Sequence, residues 1–312
     1  MADKRIIARV AHKKNERMIN ENEKVDFTRV DHVFTHCGRF NMDEVFAFGW
    51  LRYIGIEQMP VRVNRLPSSS SPTKDIIINI GGGEYDTLRP SKKNKKRSDG
   101  VPYGVFGLIV RDTWHEIFDT EKEYDMFDKF FIRRVELSGR PGSGEPKLAY
   151  DMFGMFNPNW DEPESSVKER LDQAIEISTD IIDRQVRYTK SIAKASAMAD
   201  TLRESESIQN GVVFMDVFCP LAREFEPDDS VQWLGYPSKR GGYAVRAINY
   251  DKTRIPKAEI PEEFRGDLLD GMMYCHPNGT LVDFKSKEAC MEFFQEHHDD
   301  IVFNDRPVET EE

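Results

Sequence analysis

Two polar segments in the first third of the chain carry the residue types that metal and phosphate chemistry uses. His36 follows the short apolar run of residues 33–35, and Asp43 comes seven residues later, at the start of a helical pattern. An imidazole and a carboxylate at this spacing can converge on one metal ion. The same pair also forms ordinary hydrogen bonds, so spacing alone leaves both interpretations open.

The second segment follows the apolar run of residues 76–80. Asn79 lies in this run and three glycines follow it, with Asp86 a few residues later. Consecutive glycines after a buried strand can form a backbone nest for an anion. They can equally form a turn that ends the strand. The spacing matches neither a Rossmann nor a Walker phosphate loop.

The surrounding pattern predicts a parallel α/β sheet that would position both segments. Continuous β-branched runs suit strands covered on both faces, and here they alternate with helical patterns. Ligands of such sheets bind at the carboxyl ends of the strands. Because His36 and Asn79 fall at or next to strand ends, we expect them to face one site.

A long helical pattern occupies residues 165–205, with a predicted capping box of Ser166 and Glu169. Small and apolar residues recur along one face of it, which favours core packing and leaves an oligomer seam as a second interpretation. We therefore predict an N-terminal extension at 1–26, an α/β domain at 27–164, a connecting helix at 165–205, a smaller C-terminal α/β domain at 206–305 and an acidic tail at 306–312.

Charge and composition limit the classes of function. The formal net charge of −11 argues against non-specific coating of DNA, although the N-terminal residues and the run from Lys92 to Arg97 are locally basic. Each basic segment can be read as an anion-binding arm or as a solvated loop. The four cysteines form no CxxC pair, and no apolar run could span a membrane. We expect a cytoplasmic protein with no membrane partner.

Several further segments, in the same order along the chain, resemble one known family. They are residues 100–107, the Asn157-Pro158-Asn159-Trp160 segment, Arg240-Gly241-Gly242-Tyr243, residues 260–266, Cys275-His276, and Lys285-Ser286-Lys287-Glu288-Ala289. Together with the His36 and Asn79 segments, they resemble the Myg family, a branch of the DHH phosphohydrolases. The resemblance covers about residues 33–295.

This resemblance implies a DHH-like domain, a long helix and a smaller substrate-binding domain. The implied chemistry is hydrolysis of phosphodiester bonds, such as 3′–5′ exonuclease activity on RNA, with manganese or magnesium. Two close metal ions lower the pKa of a bridging water and hold the phosphoryl oxygens. Several anionic or imidazole ligands are needed to offset their charge.

The departures from the family pattern are concentrated at these ligands. His36, Asp43 and Asp86 remain as metal ligands, and Glu136 is a residual acidic candidate. By the resemblance, neutral or apolar residues stand at four ligand positions, which are Asn41, Asn79, Thr87 and Leu88. We therefore expect a protein that has lost hydrolysis and has no firm cofactor.

The matching segments of the C-terminal domain also offer a substrate-binding set, which can equally be read as ordinary surface charges. Its members are Arg240, Gly241, Gly242, His276, Lys285 and Lys287. We expect the partner to be a nucleotide, a single-stranded nucleic acid or another protein, bound without hydrolysis. An active metal-dependent phosphodiesterase is the alternative, and a structural or assembly protein that oligomerises through the long helix is the second alternative.

Overall fold

The computed structural model describes residues 25–88, 96–205, 207–228, 230–250, 253–266 and 269–305. Residues 1–24, most of the basic run before Arg97, and the acidic tail lie outside these ranges. The chain forms two compact units, Met1–Lys190 and Ser191–Glu312. No helix in the described part of the chain is both long and apolar enough to cross a membrane.

The described part of the first unit contains a parallel sheet with α-helices packed around it. Its strands are β1 (His32–His36), β2 (Val61–Val63) and β3 (Asp75–Ile78), in the order β2-β1-β3. Its helices are α1 (Met42–Tyr53), α2 (Val105–Thr113), α3 (Glu121–Phe127), α4 (Arg133–Ser138), α5 (Leu148–Gly154) and the first part of α6 (Val167–Arg203). A π-helical turn, Asp128–Ile132, joins α3 to α4. The parallel α/β architecture predicted from the sequence is confirmed.

The core of the first unit explains why these segments are ordered. All four residues of β3 are buried, as expected for a continuous β-branched strand covered on both faces. Trp50 and Phe127 are fully buried, with ring centroids 5.7 Å apart. Gly49 lets α1 approach α6 closely, because a Cβ atom there would lie 2.2 Å from Ser178 Oγ.

The long helix is confirmed, although it is slightly shorter than predicted. Its apolar stripe is buried, including Leu171, Ile182 and Ala199. The predicted capping box is wrong: a 3-10 turn, Glu164–Ser166, precedes α6, and the Ser166 hydroxyl donates to the Pro163 carbonyl. The division between the two units falls inside this helix.

The second unit is built on a six-stranded mixed sheet in the order β4-β5-β6-β7-β10-β9. Its strands are β4 (Ile208–Gln209), β5 (Val212–Phe214), β6 (Trp233–Pro237), β7 (Tyr243–Ala247), β9 (Met272–Cys275) and β10 (Leu281–Phe284), while β8 (Ala258–Glu259) pairs with β11 (Val302–Phe303). Its helices are α7 (Ala222–Phe225), α8 (Glu263–Gly266) and α9 (Lys287–Glu296). Aromatic residues of α9 pack on one face of this sheet, where Trp233 contacts Phe294.

Candidate functional site

The end of β1 places His36 in a hydrogen-bonded network with a residue that the sequence did not single out. His36 Nε2 lies 2.8 Å from Glu44 Oε1, and the Gly38 backbone N–H donates to His36 Nδ1 at 3.0 Å. Because Nδ1 accepts this bond, the ring proton lies on Nε2 and points to Glu44. The hydrogen bond to Glu44 also raises the pKa of His36. Both ring nitrogens are therefore engaged.

Glu44 is the centre of this network and is almost completely buried. Asn41 caps α1 by accepting a bond from the Glu44 backbone N–H, and Glu44 Oε2 accepts one from the Asn41 N–H. This reciprocal capping box fixes the first turn of the helix. Its sequence signature is the Asn41-to-Glu44 spacing, but only the fold shows that Glu44 turns towards the strand ends.

Asn79 completes the network from the end of β3. Its side-chain N–H group donates to Glu44 Oε1 at 2.7 Å, and its Oδ1 accepts bonds from the Thr87 backbone N–H and hydroxyl. The left-handed backbone of Asn79, with φ of 55°, ends the strand. An aspartate here could not donate to Glu44 and would face another carboxylate. An asparagine side chain therefore fits this position, because it can donate to Glu44 and accept from Thr87 at the same time.

Asp43 and Glu136 bind the first turn of α2. The backbone N–H groups of Val105 and Phe106 donate to the two Asp43 carboxylate oxygens at 2.8 and 3.0 Å, and Gly107 N–H donates to Glu136 Oε1 at 2.8 Å. The first N–H groups of a helix lack partners within it, and anions are favoured there. Both carboxylates therefore have a helix-capping role.

A buried cation balances the charge beside this turn. Arg97 Nε and Nη2 donate to the two Asp128 carboxylate oxygens at 2.7 and 2.6 Å, and Nη2 lies 2.9 Å from Glu136 Oε2. The guanidinium also stacks on the Tyr103 ring at 4.1 Å. Arg97 is thus the one described residue of the predicted basic loop that turns inwards, and its neighbour Lys96 is exposed.

The remaining first-unit candidates also have local structural roles. Asp86 is 1% exposed and accepts bonds from the backbone N–H groups of Gly82 and Leu88. The Leu88 side chain is exposed. The structure therefore places His36, Asn79 and Thr87 in one network through Glu44, and Asp43 with Glu136 at α2.

These contacts do not fit a pair of divalent metal ions. His36 has no free ring nitrogen, the Asn79 amide N–H lies against Glu44, and the Asp43 oxygens each accept a backbone bond. Within the described ranges, no three His, Cys, Asp or Glu side chains converge as metal ligands. The sequence between Asp86 and Asp99 also contains no histidine, cysteine or acidic residue.

The second-unit candidates separate into two places. Arg240, Gly241 and Gly242 form the turn between β6 and β7, at the same end of the sheet as Lys285, which follows β10. His276 follows β9, which is antiparallel to β10, so it lies at the opposite end. The structure does not bring His276 to the other candidates.

The cations at this end of the sheet already have exposed partners. Lys285 Nζ lies 3.1 Å from Asp270, and Lys287 Nζ lies 2.7 Å from Asp216. Exposed ion pairs contribute little to stability and can exchange partners with a ligand. Gly242 has a φ of 74°, and a Cβ atom there would lie 2.0 Å from the Phe284 carbonyl oxygen.

The pH dependence of stability should report the helix-capping carboxylates. Burial, with repulsion from Asp43, raises the pKa of Glu136 from 4.5 to about 8, and desolvation raises that of Asp43 from 3.8 to about 6. Folding therefore takes up protons. The contribution of these two carboxyl groups to the free energy of unfolding is complete at low pH and is lost as pH rises through about 8. The change is on the order of a few kcal/mol.

We expect Glu136→Gln to flatten this slope above pH 6, because it removes the titrating group. Urea unfolding, followed by hydrogen exchange of first-unit peptides across this pH range, measures the effect. Exposed Glu176→Gln on α6 is the matched control and should keep the wild-type slope. An unchanged slope in Glu136→Gln would contradict the assignment.

Comparisons with known proteins support the resemblance seen in the sequence. The chain is 23% identical to the MYG1 protein C27H6.8 of Caenorhabditis elegans over 320 residues, which covers 83% of this chain and 92% of that protein. No family model matches the chain, and no solved structure matches it. The aligned region includes most of both units. Their parallel sheet, long helix and β-rich C-terminal region agree with the fold that the resemblance implies, and the chain is similar to this MYG1 protein over most of its length.

Proposed function

We propose that this protein is a catalytically inactive member of its family that binds a nucleotide or a single-stranded nucleic acid without hydrolysing it. One observation carries the proposal: the side chains that the resemblance gives as ligands are bound to other groups of the protein. Asp43 holds the α2 backbone, and both nitrogens of His36 are engaged. A water-activating site needs open donor atoms instead.

The charge of the network supports the same proposal. Asn41 and Asn79 are neutral, and the Asn79 N–H group donates to Glu44, so no second carboxylate adds charge there. Beside α2, the positive charge is supplied by Arg97. A protein cation is permanent and does not generate a nucleophilic hydroxide. The scaffold can therefore keep its fold without metal ions.

Binding of an anionic ligand is supported by the second unit. Arg240 and Lys285 lie at one end of the sheet beside the close turn at Gly242, and their side chains are exposed. Cationic side chains beside a glycine turn can bind the oxygens of a phosphate group. Because this charge lies on a chain that is acidic overall, a local site is favoured over non-specific coating of nucleic acid.

The proposal is tested by measuring hydrolysis and metal content on the same sample. The purified chain is incubated with manganese and a fluorescent single-stranded RNA, and bound metal is determined by elemental analysis after desalting. We expect no turnover above the buffer rate and well below one manganese ion per chain. Electrophoretic mobility or anisotropy measurements should nevertheless detect binding of the RNA or of mononucleotides.

Two controls separate inactivity from contamination and from unfolding. His36→Gln and EDTA treatment of the wild-type chain should both leave the signal at background. Manganese-dependent cleavage that EDTA abolishes and His36→Gln reduces would overturn the proposal. It would favour the alternative of an active phosphodiesterase that uses His36, Asp43, Asp86 or Glu136.

A further inference from the structure

The short helix α5 is held firmly against the core of the first unit by aromatic side chains on its inner side. Phe153 is buried, and its ring centroid lies 5.1 Å from that of Phe46. The Tyr150 ring lies so close to Gly139 that a Cβ atom there would be 2.4 Å from it. The outer side of α5 is therefore presented to solvent on a rigid support.

Three large apolar side chains lie along this outer side. Leu148, Met152 and Met155 are 72%, 52% and 71% exposed, and Met155 directly follows the helix with a helical backbone. Their spacing of four and three residues places them on one face, because residues at these separations are neighbours on a helix. A helix that is apolar on all sides is normally buried. The exposed outer face of α5 therefore indicates a surface that a partner covers.

The size of this face indicates the kind of contact that it can make. Three such side chains, each more than half exposed, form an apolar patch on the order of 400 Å², which is the size at which patches on single-chain proteins are often functional. Each partner in a standard interface buries about 800 Å², of which the rim is polar. The face is thus large enough to be the apolar centre of an interface, and its rim must supply the rest.

The rim of this face carries one cation and one anion. Lys147 and Asp151 lie four residues apart along one flank of α5, and both side chains are exposed. Neither side chain forms a hydrogen bond or an ion pair with another residue in the described ranges. A strongly basic partner would be repelled by Lys147, and a strongly acidic one by Asp151. The rim therefore favours a partner that carries the same two charges in the reverse order.

A second copy of this chain offers that arrangement. In a two-fold interface the same face serves both partners, so that residue i contacts residue j and residue j contacts residue i. Two copies of α5 that run antiparallel reverse the order of the charges, and Lys147 of each copy then lies on the same flank as the partner's Asp151. The contact uses a different surface from the apolar stripe of α6, which is buried.

We propose that the chain forms a two-fold dimer through α5, with Leu148, Met152 and Met155 at its centre and two ion pairs between Lys147 and Asp151 at its rim. The proposal goes beyond ligand binding, since the dimer forms whether or not the chain hydrolyses or binds a nucleotide. Because the apolar centre is small, we expect a dissociation constant in the micromolar range.

Sedimentation velocity of the full chain, from about 1 to 100 µM, measures this dimer. Met152→Glu places an unpaired charge at the centre of the contact and should raise the dissociation constant at least about 100-fold. Glutamate is a good helix former, so the variant should keep α5 folded. The matched control is Ile177→Glu, which replaces a 43% exposed apolar residue on α6 and should leave the dissociation constant unchanged.

The charged rim is tested by two variants that each carry charges of one sign. Lys147→Glu has two anions on this flank and Asp151→Lys has two cations, so each variant alone should dimerise about tenfold more weakly than the wild type. An equimolar mixture pairs every anion with a cation and should recover the wild-type dissociation constant. Ion pairing within one copy cannot produce this recovery, because each variant carries only one sign of charge there.

The proposal is overturned if the wild-type chain stays monomeric over this concentration range, or if Met152→Glu dimerises as tightly as the wild type. Equal weakening by Met152→Glu and Ile177→Glu would also overturn it and would favour a contact through the long helix. A mixture of the two charge variants that dimerises no better than either variant alone would contradict the antiparallel two-fold arrangement.

Discussion

We expect replacement of Arg97 with methionine to lower the free energy of unfolding of the first unit by about 3–5 kcal/mol. Arg97 makes two hydrogen bonds to Asp128, its Nη2 lies 2.9 Å from Glu136 Oε2, and its side chain is 4% exposed. Methionine fills similar volume but leaves the Asp128 carboxylate without its cation. Breaking a buried pair from one side costs more than removing both partners, because one charge stays behind uncompensated.

This asymmetry provides the control. The double variant Arg97→Met with Asp128→Asn should recover part of the loss, whereas Arg134→Met, which replaces an exposed arginine on α4, should change stability by less than about 0.5 kcal/mol. Urea unfolding with hydrogen exchange of first-unit peptides measures all three. Equal stability of Arg97→Met and Arg134→Met would show that Arg97 does not stabilise the buried carboxyl groups of Asp128 and Glu136.

The role of Arg97 marks the limit of what the sequence could predict. A run of basic residues normally indicates a solvated loop, and nothing local distinguishes Arg97 from the lysines before it. Its partner Asp128 lies 31 residues further along the chain, in a π-helical turn. Only the fold brings them together, so pattern reasoning could not assign a buried charge here.

The regular elements were easier to predict because their signals are local. The long helix was expected at 165–205 and occupies Val167–Arg203, since its apolar spacing continues over many turns. The strand expected at 76–80 ends at Ile78, because Asn79 adopts a left-handed backbone and bonds Glu44. Strand ends depend on tertiary partners that a hydrophobic pattern does not contain.

The candidate site shows the same difference between local signals, which the sequence contains, and tertiary contacts, which it does not. The sequence placed His36 and Asn79 at or next to the carboxyl ends of strands, and the structure shows that these two strands, β1 and β3, are neighbours in the sheet. It did not predict that Glu44 would join them. An acidic residue in the first turn of a helix is ordinarily solvated, and Glu44 is buried only because both strand ends turn a hydrogen-bonding side chain towards it. The network thus arises from the packing of α1 on the sheet.

The second unit contains a comparable buried cation, Lys257, which is 2% exposed. Its Nζ donates to the backbone carbonyls of Phe225, Asp228 and Val231 at 2.8, 2.6 and 3.1 Å. These carbonyls lie at and after the end of α7, where a helix leaves acceptors unpaired and favours positive charge. Lysine therefore ties the loop after α7 to the strand region at β8.

We expect Lys257→Met to lower the free energy of unfolding of the second unit by about 3 kcal/mol or more, because buried carbonyls would lose their donor without gaining water. Urea unfolding with hydrogen exchange of peptides from β5, β6 and α7 measures this loss. The matched control is Lys194→Met on α6, where the lysine is exposed and the same methionine should change stability little. If both variants unfolded at the same urea concentration, the three carbonyls would have to be satisfied by other donors, and Lys257 would not stabilise the loop. A loss confined to Lys257→Met would instead show that this unit, like the first with Arg97, depends on an internal side-chain cation.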